Sequence, residues 1–138
     1  PNEVYKRPAS KFVATFIGSP PMNILPGRVT GKGVVEVSGV SIQATDLGSA
    51  AAIGTLVDVG LRPEDLTLSV VGGGVPLEVE FVEELGATQL FHGHLGEAEL
   101  VIQAATDEIP ADVKTLSLII DPAKVHVFDR ASGMRLSG

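Results

Sequence analysis

LRPEDLTLS (Leu61–Ser69) and IDPAKVHVF (Ile120–Phe128) are built on one template: an apolar residue, a charged residue, Pro, two polar or small residues, then apolar-x-apolar. Proline pushes the residue before it into extended geometry and fixes its own φ, so each piece reads as a strand that breaks, turns once and resumes. Either two common strand–turn–strand pieces coincide, or the chain contains a structural duplication of two related β-units. The duplication is the expectation.

The surrounding sequence supports a β architecture. Sixteen Gly and nine Pro divide 138 residues into short pieces, the punctuation expected of turns. After Pro26 come GVVEVSG, GTLVDVGLR, PLEVEFVEEL, QLFHGHLG, AELVIQA, KTLSLII and KVHVFD, all short and rich in Val, Ile and Leu. PLEVEFVEEL alternates at first, which predicts Leu77, Val79 and Phe81 on one face and Glu78 and Glu80 on the other. Roughly seven or eight such strands indicate a sandwich or small barrels.

The leading segment differs. Ala9, Phe12, Val13, Phe16 and Ile17 fall at helical spacing, on one stripe. Pro8 suits the first helical position, and Gly18 with Pro20 and Pro21 suits the end. A helix of about three turns is unstable alone in water, so its stripe must be docked.

Composition excludes several functions. The net charge of −7 and ten scattered basic residues oppose nucleic-acid binding, which needs a concentrated cationic surface. One Tyr, five Phe and no Trp leave few stacking platforms. No apolar run approaches the ~20 residues of a membrane span, and no signal peptide is visible. The absence of cysteine rules out disulfides and thiolate metal sites. Beginning at Pro1 rather than Met, the chain is expected to be a fragment or a processed product.

Catalytic constellations are hard to find. His92 and His94 would share a strand face, but a His-x-His pair needs a third ligand to hold zinc, and His126 is far off in sequence. They read as exposed strand histidines. Glu83–Glu84 and Glu64–Asp65 read as solvated edges. VVGGGVPL, followed by Pro and a strand rather than by a helix, reads as a hairpin connection and not a phosphate loop.

Three blocks carry a family resemblance: EVYKRPASKFVATFIGSPPMNILPG, VGLRPEDLTL and DPAKVHVFDRASGMRL, with VEFVEELGATQLFHGHL between the last two. Together they resemble the C-terminal regulatory domain of carbohydrate-importer ABC ATPases, the maltose and glycerol-3-phosphate uptake type. The resemblance implies a mainly β fold of OB-like, MOP-like small barrels, two interleaved units preceded by a short N-terminal helical segment. It divides the chain into a junction, 1–22, and a transport-associated OB-like domain, 23–138. It implies no catalysis, metal or cofactor in this chain, with ATP and magnesium belonging to an ATPase domain of the parent subunit.

The implied partners are a second regulatory domain, the ATPase domain of the same chain, transmembrane importer subunits indirectly and, in some members, a regulatory protein. The implied location is cytoplasmic, at the inner face of the membrane. The interface candidates are Phe12, Val13, Phe16, Ile17 and Met22 from the junction and Phe128, Asp129, Arg130 and Arg135 from the tail. A small-ligand or oxyanion module, using Lys32, Ser38 and Ser41, is the alternative.

Overall fold

The structure, a computed structural model, describes residues 9–11, 20–48, 51–109 and 115–136. Ten strands occur among them: β1 (Asn23–Gly31), β2 (Val34–Val37), β3 (Val40–Gln43), β4 (Leu56–Leu61), β5 (Leu66–Ser69), β6 (Val75–Glu84), β7 (Thr88–Leu95), β8 (Ala98–Ala105), β9 (Thr115–Ile120) and β10 (His126–Asp129). A 3-10 turn at Pro63–Asp65 separates β4 from β5, and another at Pro122–Lys124 separates β9 from β10.

These two turns are the two copies of the Pro template, and they explain the topology. The first sheet has the order β10-β4-β1-β2-β3 and the second β5-β9-β6-β7-β8. Strands β1–β4 form one unit and β6–β9 the other. After its Pro turn each unit sends a last strand, β5 or β10, into the other unit's sheet. There β5 pairs with β9 (Leu66↔Ile120 to Ser69↔Ser117) and β10 pairs with β4 (His126↔Gly60 to Asp129↔Val57), both antiparallel. The duplication is therefore real, and the two units are interleaved by a reciprocal exchange of strands.

The charged residue of the template serves each turn differently. Asp121 caps its turn, its Oδ1 accepting from the Ala123 N–H at 3.0 Å. Arg62 is buried beside its turn. Burial pushes its guanidinium below the ordinary arginine value, and Asp65 partly opposes the shift. Lys124 and Asp65 bring the two turns together at 3.9 Å, a surface contact worth little by itself.

The inward faces of both sheets share one core, including Leu25, Val35, Val37, Val57, Leu77, Ile102, Leu116 and Leu118. Each such side chain contributes about 1.5–3 kcal/mol on burial. β1 begins before Pro26, earlier than the sequence suggested. It pairs with β4 over Asn23–Arg28 and with β2 only from Arg28 onward. Pro26 thus sits where β1 has no partner on the β2 side, and its missing N–H breaks no ladder.

Two sequence expectations are corrected. A bulge between Val79 and Phe81 leaves Glu80 without a partner on β7 and slips the alternation by one. Phe81, paired with His92, consequently shares a face with Glu78, which pairs with His94. VVGGGVPL is also no hairpin: β5 and β6 do not pair with each other but flank β9, so the glycine loop crosses the end of that strand. Of the helix expected between Pro8 and Gly18, residues 12–18 lie outside the described residues. Among the described residues no helix is long and apolar enough to cross a membrane.

Candidate functional site

The leading segment and the tail, far apart in sequence, lie side by side. The Lys11 N–H donates to the Gly133 carbonyl at 2.9 Å, and the Arg135 N–H donates to the Ala9 carbonyl at 2.9 Å. Ser10 and Met134 form an antiparallel bridge between them. The chain that precedes β1 is thereby fastened to the chain that follows β10.

The tail can receive it because it turns back on β10. Asp129 Oδ2 accepts from the Ser132 N–H at 2.9 Å, and Gly133 adopts φ 77°, a left-handed conformation that suits glycine. Its return run closes on β10, with the Asp129 N–H donating to the Met134 carbonyl at 2.8 Å and the Leu136 N–H to the Val127 carbonyl at 2.7 Å. The Asp-x-x-x-Gly spacing of DRASG encodes this turn.

Asp58 of β4, 6% exposed, anchors the junction electrostatically. Lys11 Nζ donates to its Oδ2 at 3.0 Å, and Arg130 Nε lies 3.7 Å from its Oδ1. Arg130 also donates to the Val57 carbonyl at 3.2 Å and the Gly27 carbonyl at 3.4 Å. One carboxylate therefore holds a cation from each end of the chain. On the neighbouring face Arg135 donates to His126 Nδ1 at 2.7 Å, since a guanidinium can only donate. Its guanidinium also lies 5.5 Å from the centre of the Phe128 ring.

Beneath this surface Met22 and Phe128 make a small second core with Ile24. Gly60 leaves room for it: a Cβ there would overlap the Met22 sulfur and stand 3.2 Å from the Phe128 ring.

The sequence candidates are thus placed as follows. Met22 and Phe128 are 4% and 0% exposed and pack against each other inside the chain. Asp129, Arg130 and Arg135 surround the junction from outside. Phe12, Val13, Phe16 and Ile17 lie outside the described residues. Sequence reasoning missed Lys11, Asp58 and Gly60; the available signal was an acid in the apolar run GTLVDVGLR.

It also missed Asn23, whose carboxamide ties the sheets together. Its Nδ2 donates to the Leu61 carbonyl at 2.9 Å and the Val101 carbonyl at 2.8 Å, and its Oδ1 accepts from the Val101 N–H at 2.8 Å. Of the oxyanion candidates, Lys32, Ser38 and Ser41 line three different clefts among the described residues.

This arrangement can be set beside known proteins. Residues 18–66 match the MalK OB fold domain, and residues 59–128 match the TOBE domain. The chain belongs to the TOBE domain family. The two matches overlap across LRPED, where the first unit sends its strand into the second sheet.

The sn-glycerol-3-phosphate import ATP-binding protein UgpC of Shigella sonnei (strain Ss046) is 43% identical over 138 residues. The protein of the same name from Shigella boydii serotype 4 (strain Sb227) is also 43% identical over 138 residues. In each case the alignment covers 99% of this chain and 39% of the relative. The domain therefore spans about two fifths of the length of these relatives. Among solved structures, the cytoplasmic molybdate-binding protein ModG, with molybdate bound, superposes with a TM-score of 0.60. It is 16% identical and covers 76% of this chain and 94% of its own, a likeness of fold.

Proposed function

We propose that the chain is the regulatory and dimerisation domain of the ATP-hydrolysing subunit of an ABC importer for glycerol phosphate, sugars or polyols. The observation that carries this reading is 43% identity, along 99% of the chain, to glycerol-3-phosphate import ATP-binding proteins. In this reading residues 1–22 are the junction from an ATPase domain and 23–138 the regulatory domain. Catalysis, ATP and magnesium belong to the ATPase domain, and the assembly works at the cytoplasmic face beneath transmembrane subunits.

The junction geometry supports a coupling role. Movement of a preceding domain would reach Ala9 and Lys11, which are fastened to Arg135, Gly133 and Asp58. Phe12, Val13, Phe16 and Ile17 then form the stripe that docks between the two domains. Asp129, Arg130 and Arg135 offer the polar contact surface of the tail, and Met22 and Phe128 stiffen it from beneath. Pairing with a second copy, or with a regulatory protein, needs no chemistry from the domain.

The test replaces the corresponding segment of a glycerol-3-phosphate import ATPase subunit with this chain and measures uptake. Retained uptake, abolished by Phe16→Asp with ATP hydrolysis intact, is the expected result. A hybrid that folds, hydrolyses ATP and supports no uptake overturns the reading.

A further inference from the structure

The function above leaves the His-x-His motif of β7 unused. Both histidines lie on the outer face of the second sheet, yet their surroundings differ. His92 is engaged: its Nε2 is 3.1 Å from Glu83 Oε1, and its ring stacks on Phe81 with centroids 4.2 Å apart and planes 10° from parallel.

His94 stands between two carboxylates from the flanking strands. The bulge in β6 presents Glu80, whose Oε1 lies 2.6 Å from His94 Nδ1. On the other side Glu99 of β8, directly paired with His94, brings its Oε1 to 3.7 Å from Nε2. The donor atoms of Glu80, His94 and Glu99 all lie within 4.8 Å of one another.

A neutral imidazole has one N–H and one lone pair. With the proton on Nδ1, against the close Glu80 carboxylate, the Nε2 lone pair of the neutral ring would face Glu99. A carboxylate fixing the far nitrogen of a ligating histidine is the usual support of a zinc-bound imidazole. The geometry points to a divalent transition-metal site of the zinc type, with His94 Nε2 and Glu99 as protein ligands and Glu80 as the positioning residue.

The dimensions suit such an ion. Two ligands at about 2.0–2.1 Å from a tetrahedral zinc stand roughly 3.3–3.4 Å apart, close to the 3.7 Å between Nε2 and Glu99. Glu99, with its side chain 84% exposed, closes the difference by a small rotation. Glu80 and Glu99 also border an open cleft of ≈ 280 Å³ that His94 does not line. Glu78, paired with His94 on β6, adds negative charge. An imidazole in the donor set favours zinc over magnesium, which takes oxygen ligands. The sequence could not show Glu80 as the support of His94, because the bulge that presents it is a tertiary feature.

The test is calorimetric titration of the untagged chain with zinc chloride alone, repeated with magnesium chloride. Expected is one zinc per chain and no heat from magnesium. His94→Gln and Glu99→Gln should each weaken zinc at least tenfold, and Glu80→Gln should weaken it about tenfold through the ring orientation. His92→Gln should bind as the parent does. Unfolding midpoints in chelator establish that each variant is folded. Absence of zinc heat from the parent chain, unchanged affinity in His94→Gln, or an equal loss in His92→Gln overturns the assignment.

Discussion

Replacing Asn23 by Ala removes three hydrogen bonds in one step: two donated to the Leu61 and Val101 carbonyls and one accepted from the Val101 N–H. Asn23 and Leu61 both lie in the first sheet, on β1 and β4, and Val101 lies in β8 at the rim of the second, so the two bonds to Val101 cross between units. Each is worth about 1 kcal/mol net, and a stranded backbone group that water cannot reach costs ~1–3 kcal/mol. The site is half-buried, so water recovers part of that loss, and the expected destabilisation is about 2–4 kcal/mol. For 138 residues the unfolding entropy is about 0.3 kcal/mol/K, which places the midpoint roughly 7–14 °C lower.

Asn23→Asp provides the sharper comparison. A carboxylate still accepts from Val101 but turns its second oxygen on two carbonyls, so it should cost at least as much as Ala. Differential scanning calorimetry with urea titration reads both, and each variant should unfold in one transition because the exchanged strands bind the sheets together. An Ala variant within about 1 kcal/mol of the parent, or an Asp variant as stable as the parent, refutes the cross-sheet role.

Gly60→Ala should destabilise by about 1–3 kcal/mol, because its Cβ would press on Met22, Phe128 and His126; a urea midpoint equal to the parent's would contradict the packing described. Asp58→Ala should cost about 1–2 kcal/mol, since Lys11 and Arg130 keep solvent contact once released. Hydrogen exchange at the Lys11 amide should quicken several-fold in that variant, and unchanged exchange would show that the backbone bonds alone hold the leading segment.

The Pro template made the two strand–turn–strand breaks legible because Pro63 and Pro122 act through local sterics, whereas the interleaving of the units was implied only by the family resemblance. The order of strands around β9 was not legible: VVGGGVPL looks like a hairpin loop from within, and only the non-local pairing of β9 with both neighbours separates β5 from β6. The bulge left a trace in Phe81–Val82, two adjacent apolar residues where alternation calls for one, and that trace marks where the period slips. Asn23 left none, since a single carboxamide has no periodicity. The tail turn was readable in Asp129 and Gly133, whereas its attachment to Ala9–Lys11 depends on a contact between the two ends of the chain.

That contact has a consequence set by topology. β10 belongs covalently to the second unit but is hydrogen-bonded into the first sheet beside β4. The leading segment is fastened to the tail that caps β10 and, through Lys11, to Asp58 of β4. A pull on Lys11 therefore loads two adjacent strands, one from each unit, before it reaches the shared core. Strain carried by β10 passes through the second Pro turn into β9, and strain carried by β4 passes through the first Pro turn into β5. These strands are paired again in the second sheet. Both paths end in the same pair of strands, β5 and β9.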